Sequence, residues 1–298
     1  MHPFHPYIKA VGTGTKHNRD LSEKEMQEAM EMILRRDASS EQIAAFLLGW
    51  RLKPESTLEF KGALSAFDSF IQHQNIPNSI ELGYPYDGKV DNPYLFPLIA
   101  KEIADFDINL IISTDALQPS KEGTSTQEIA ENISQQKNIF FLDRADYFPA
   151  LSHLTKIRTH LGLRTGFNAI ERLVNPAKSD YAIIGVFHKP FVQKYIDTYH
   201  DRYKRLIILK GAEGAPEILG KCSYWLVEGG QVTEHHVHIN DFGIYHDKSY
   251  KRISKEQSLE MVHNPSKQHL QLAKLNGALY LYLMEKANSL EEGFAMLD

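Results

Sequence analysis

The sequence predicts an α/β protein: a helical unit over residues 1–75 stands in front of a larger α/β unit over residues 76–298, built on a mainly parallel sheet. Three observations carry this expectation. The first unit places apolar residues at helical spacing behind capping-box starts. Past Asn75-Ile76-Pro77 short apolar strands begin to alternate with helical stretches. The order strand–helix–strand–helix–strand, packed into about 65 residues, requires parallel pairing with helical crossovers.

In the first unit, Ser22 with Glu25 caps a helix whose Met26, Ala29, Met30, Ile33 and Leu34 share one face. Ser39 with Gln42 opens a second, with Ile43, Phe46, Leu47 and Trp50 as its stripe, and Lys53-Pro54 stops it. Ser56 with Glu59 opens a third, carrying Phe60, Leu64, Phe67 and Ile71. Such a bundle buries its stripe against its own helices or against a second copy. In the second unit the expected strands are 80–82, 108–112, 139–142, 181–187 and 205–209. Helices are expected over 93–104, behind the Ser125/Glu128 box, between the last two strands, and over 266–297. Ligands of open α/β sheets sit beyond the carboxyl ends of the strands, which directs attention to loops 83–92, 113–124 and 210–217. A cleft between the two units is the other natural site.

At 298 residues, with 42% hydrophobic and 24% charged, the chain suits a globular protein with a large core. Its start has no apolar leader, and no run approaches the roughly 18 apolar residues of a membrane span, so the expected setting is the cytoplasm, without membrane partners. The single cysteine, Cys222, excludes an internal disulfide and a multi-cysteine metal site. A net charge of −5 argues against a protein that is basic all over, yet leaves room for a local basic groove.

Four stretches carry candidate chemistry. Gly83-Tyr84-Pro85-Tyr86-Asp87-Gly88 is placed to cradle a phosphate, although Pro85 lacks an N–H; otherwise Asp87-Gly88 is simply a tight corner. Ser113-Thr114-Asp115 and Lys121-Glu122-Gly123-Thr124 suit either an anion or a plain solvated connection. Arg158 and Arg164, with Gly162 breaking the helix between them, are spaced either to converge on an anion beside Asn168 or to pin the junction of the two units. His235, His236 and His238 lie on a strand-like run without an acidic or cysteine ligand to complete a zinc site, so an exposed strand is expected.

The run Arg158-x-x-Leu161-Gly162-x-Arg164-Thr165-x-Phe167-Asn168, followed by Leu173-x-Asn175-Pro176, resembles the mid-chain signature of the anthranilate phosphoribosyltransferase family, glycosyltransferase family 3. Residues 41–48, Ile184-Gly185-Val186 and Asp241-Phe242-Gly243 extend the likeness along the chain. The resemblance implies a homodimer through the N-terminal helices, with a phosphoribosyl donor and magnesium in the cleft. The departures are equally specific. The family's Gly-Thr-Gly-Gly-Asp loop falls on residues 83–87 and keeps only its ends. Its basic Lys-His-Gly-Asn-Arg stretch falls on residues 112–116, and its Asp-Glu magnesium pair on Pro216-Glu217, leaving Glu217 as the one candidate ligand. At roughly 1.5–3 kcal/mol per charged hydrogen bond, these losses weigh against ordinary anthranilate chemistry. What remains is an anionic or phosphorylated ligand on Asp87, Gly88, Lys121, Arg158, Arg164 and Asn168. The pattern also resembles a divergent branch of the family with members that bind single-stranded nucleic acid. For that role Lys9, Lys16 and Arg19 would meet phosphates, and Tyr84 and Tyr86 would stack bases.

Overall fold

The computed structural model describes residues 2–119, 121–245 and 252–298. Helices α1 (His5–Gly12), α2 (Glu23–Leu34), α3 (Ser40–Leu52) and α4 (Thr57–Asp68) form the first unit. All three expected capping boxes are made, with the Ser22, Ser39 and Ser56 hydroxyls accepting from the N3 amide and the N3 side chain returning the bond. Helix α1 is not among the helices expected from the sequence, where Lys9, Lys16 and Arg19 read as phosphate contacts. Pro6 sits in its first turn, where a missing N–H costs nothing, and Ala10 and Val11 are buried. A Cβ on Gly49 would come within 2.9 Å of Val11, so α1 and α3 cross with almost no side chain between them.

The second unit is a seven-stranded sheet in the order β3-β2-β1-β4-β5-β6-β7. Its strands are β1 (Ser79–Gly83), β2 (Asn109–Thr114), β3 (Ile139–Asp143), β4 (Tyr181–Gly185), β5 (Arg205–Leu209), β6 (Cys222–Glu228) and β7 (Gln231–Val237). The first five pair in parallel, and β6 and β7 add as an antiparallel hairpin. Sequence reading left β6 unassigned. Its partner turns back through Gly229 and Gly230, both at positive φ, as a two-residue hairpin turn requires. The chain winds outward from β1 to β3 and then returns past β1 to β4, so the switch in direction lies between the carboxyl ends of β1 and β4.

Alternation along the strands divides the core. Ile80, Leu82, Ile112, Ile183 and Ile207 face helices 96–102 and 267–283, whereas Ile111, Ala182, Ile184 and Ile208 join the cluster that runs into the helical unit. The two units share that cluster. Trp50 meets Phe167 edge-on, Phe67 meets Phe148, and a Cβ on Gly166 would strike the Trp50 ring at 2.4 Å. Lys194 donates to the Glu55 carbonyl at 2.5 Å, and Arg202 pairs with Asp68.

Glu81 breaks the apolar alternation of β1. Burial pushes its carboxyl up to about 7, although the Tyr203 hydroxyl and the Asn175 and Val174 amides donate to it. The folded protein thus holds a proton that the unfolded chain, with an ordinary value of 4.5, has already released. Stability from this group is full below the unfolded value and lost as pH rises through the folded one, a swing of about 3 kcal/mol. Urea midpoints are expected to fall between pH 5 and 8, with a flatter profile for Glu81→Gln; identical slopes would contradict the assignment.

Candidate functional site

A cleft of about 190 Å³ opens where the carboxyl ends of β1, β4 and β5 face the corner between α3 and α4. Arg51 and Glu55 line it from the helical unit; Asp87, Arg164, Thr165, Asn168, Arg172, Phe187, His188 and Glu213 line it from the sheet. Its size suits a small anion with a short carbon skeleton, below the roughly 300–1,000 Å³ typical of drug-sized ligand pockets.

The loop after β1 decides what this cleft can hold. Tyr84 and Tyr86 are buried at 4% and 6% exposure, so neither offers a face on which a base could stack. Tyr84 packs among Tyr94 and Phe96, and its hydroxyl donates to Glu217 at 2.7 Å. Tyr86 lies under the Arg144 guanidinium, 4.2 Å from the ring centre, and burial pushes its hydroxyl up to about 12. Both rings are packed inside the loop that follows β1. Gly88, at φ +76°, is required for a different reason: a Cβ there would lie 2.5 Å from the Gly123 backbone. The two loops meet through the Lys89–Thr124 bridge, which makes Gly88 a packing position.

Glu217 is fully buried and is held by the Lys89 ammonium, the Tyr84 hydroxyl and the Leu95 amide, the last at 2.6 Å. With three donors on its carboxylate and Pro216 beside it, the residues here do not fit magnesium. Among the described residues no group of three His, Cys, Asp or Glu side chains is placed to hold a metal. His236 bonds to Ser223, and His235 stacks on Tyr224 at 4.7 Å. Burial pushes the Cys222 thiol up to about 12, which keeps it unreactive.

Gly162 ends helix 155–161 in the left-handed region, as its place in the sequence suggested. The arginines on either side then diverge instead of converging. Arg158 turns inward, wholly buried, onto Glu171 at 2.6 and 2.8 Å and onto Asn168. Glu171 also receives Arg144 at 2.5 Å, and Arg144 reaches Asp115 at 2.5 Å. Burial would raise the Glu171 carboxyl, but Arg158 and Arg144 outweigh it and hold it at about 2. Asn168 fastens the loop, accepting from the Thr165 amide and donating to the Pro119 carbonyl. Arg158 is therefore withdrawn from ligand contact. Arg164 alone of the pair reaches the cleft, 44% exposed and bonded to Asp87 at 2.7 Å. Lys121 donates to the Glu213 carbonyl at 3.0 Å, and burial lowers its pKa.

Arg172, which sequence reading passed over, forms the floor. Nε donates to the Gly83 carbonyl at 3.0 Å, Nη1 to Gly185 at 3.0 Å and Nη2 to Gly214 at 2.5 Å. It thus gathers the carbonyl ends of β1, β4 and the loop after β5 at the switch point. The available signal was a charged Glu171-Arg172 pair inside the apolar run Ile170 to Val174. Glu213, in the left-handed region at φ 57°, accepts from the Val90 and Asp91 amides and Asn92, closing the far side.

Residues 5–70 match the helical bundle domain of a glycosyl transferase family, and residues 122–298 match the a/b domain of such a family. An anthranilate phosphoribosyltransferase of Petrotoga mobilis is 26% identical, covering 97% of this chain and 90% of its own. An uncharacterized protein of Aquifex aeolicus is 25% identical over 94% and 93%. The crystal structure of the Thermus thermophilus anthranilate phosphoribosyltransferase superposes with a TM-score of 0.76 at 18% identity, over 100% of this chain and 93% of that one. The Saccharomyces cerevisiae enzyme, in complex with PRPP and Mg, gives 0.77 at 15% identity, over 99% and 92%.

Proposed function

This chain belongs to glycosyltransferase family 3, in its anthranilate phosphoribosyltransferase-like form, and from that premise we propose that it binds a small anionic or phosphorylated ligand in the interdomain cleft without magnesium-dependent phosphoribosyl transfer. One observation carries the reading. Arg172 donates to three main-chain carbonyls and forms no ion pair among the described residues, so its charge stands on the cleft floor near half-exposed Arg164, whose own partner is Asp87. Carbonyl dipoles orient a guanidinium but do not neutralise it, so an anion entering the cleft has the Arg172 charge to meet.

The donor machinery supports the second half of the proposal. Where a diphosphate and its metal need open amides and carboxylates, this chain has Tyr84, Tyr86 and the Lys89–Glu217 pair packed inside. The nucleic-acid alternative loses support for the same reason, and because Arg19 is paired with Glu25 at 2.6 Å; Lys9 and Lys16 remain exposed. A homodimer through the helical unit belongs to this reading, with Leu52 and Leu58, 71% and 54% exposed, as apolar surface to cover. Sedimentation velocity tests it.

Calorimetric titration with inorganic phosphate and ethyl phosphate tests the cleft. Arg164→Gln is expected to weaken binding by about tenfold or more, roughly the value of one charge-assisted pair. Added magnesium should leave the affinity unchanged. Turnover of phosphoribosyl diphosphate with anthranilate, or saturable binding of short single-stranded oligonucleotides that falls steeply with salt, would displace this reading.

A further inference from the structure

We infer that the cleft ligand carries an ammonium group as well as its anion, and that Glu55 receives the ammonium; this rests on the reading of the cleft as an anion site. Glu55 lies just before the cap of α4, lines the cleft and is 5% exposed. Among the described residues its ion-pair contact is Arg51 Nη1 at 3.8 Å, beyond hydrogen-bond distance, and the Arg51 side chain is itself 49% exposed.

The other buried carboxylates are treated differently. Glu59 accepts from the Leu21 and Ser56 amides, the Trp50 indole and Lys53. Asp115 has Arg144, Ser152 and the Ala116 amide. Asp87, Glu81, Glu171 and Glu217 each receive close donors as well. Those carboxylates are satisfied by protein donors, whereas Glu55 lines the cleft and no hydrogen bond to its carboxylate is made among the described residues. Its main chain is fixed, because Lys194 clamps the Glu55 carbonyl against helix 190–199.

The rest of the cleft completes the ligand's outline. Thr165, Arg164 and Arg172 belong to the cleft lining, and the Thr165 Oγ1 just beneath it is buried without a hydrogen-bond partner among the described residues. Phe191 and Val186 supply an apolar stretch of wall. A cation subsite and an anion subsite within about 190 Å³ specify a small molecule with a primary ammonium and an anion joined by a short carbon spacer. Aminoalkyl phosphates and short amino carboxylates share that chemistry.

The test compares matched probes by calorimetry: 2-aminoethyl phosphate against ethyl phosphate, and 4-aminobutanoate against butanoate. The wild-type protein is expected to favour the amino-bearing member of at least one pair by about tenfold, and the pair that shows it distinguishes phosphate from carboxylate. In Glu55→Gln that ratio should collapse toward one. Equal affinities within both pairs, or a ratio that survives Glu55→Gln, overturn the proposal while leaving the anion site intact. If wild type binds none of the four, or Arg164→Gln binds the simple anions as tightly as wild type does, the cleft reading fails and takes this inference with it. Circular dichroism of the variant separates lost recognition from lost folding, and the wild-type ratio stands without any variant.

Discussion

Replacing Glu171 by Ala is expected to lower the unfolding free energy by about 3–5 kcal/mol, because it leaves two buried guanidinium groups without their shared carboxylate. Arg144 and Arg158 are both fully buried, and both donate to Glu171. Asp115 remains as a partner for Arg144, whereas Arg158 keeps the neutral Asn168 side chain and the Phe167 ring. The damage should spread to the cleft, since Asn168 also orders the Thr165 amide in the loop that presents Arg164. Urea unfolding at constant m-value measures the loss, and a change under about 1 kcal/mol would mean that the network is not structural. The pH dependence follows from the same group. With Glu171 depressed from 4.5 to about 2, its contribution is present above the unfolded value and lost as pH falls through the folded one. Acid unfolding of the variant should therefore be less steep below pH 4 than that of wild type.

Lys89→Met is expected to cost a similar amount, about 3–5 kcal/mol, by stranding the fully buried Glu217. The double variant Lys89→Met/Glu217→Gln should recover most of it. A glutamine oxygen still accepts from the Tyr84 hydroxyl and the Leu95 amide, and no uncompensated charge remains. The cycle also bears on the lineage. If Glu217 were kept for a metal, the single variant would gain stability from magnesium; with the carboxylate enclosed by Lys89, Tyr84 and Leu95, magnesium should shift the melting temperature of neither protein. A magnesium-dependent rise would show that Glu217 is reachable.

Much of the fold was legible because its signals are local. The Ser22, Ser39, Ser56 and Ser125 boxes each depend on a residue three positions on, and all four formed. Strand 205–209 was placed to the residue, and β1 to β4 within a few. Helix α1 was missed because its basic and glycine residues outweighed a short apolar face, and β6 because Gly229-Gly230 was not used as a hairpin signal. The same locality explains the turn at Gly162, where absence of a Cβ is enough to permit the left-handed conformation.

The site was less legible because a charged side chain's role depends on which opposite charge the fold brings to it. Arg158 and Arg164 look alike in sequence, yet one meets a carboxylate 13 residues away and the other a carboxylate 77 residues away. Arg172 reaches carbonyls 13, 42 and 89 residues distant. The sequence by itself determined the helical unit, the parallel sheet and the family signature, all written in residue type and short spacing. Tertiary structure alone decided that Tyr84 and Tyr86 are buried, that Lys89 pairs with Glu217, and that Arg172 and Glu55 line the cleft. The physical reason is that burial and charge pairing are long-range: a carboxylate is a ligand site, a metal ligand or half of an internal ion pair according to what the fold places within about 3 Å of it.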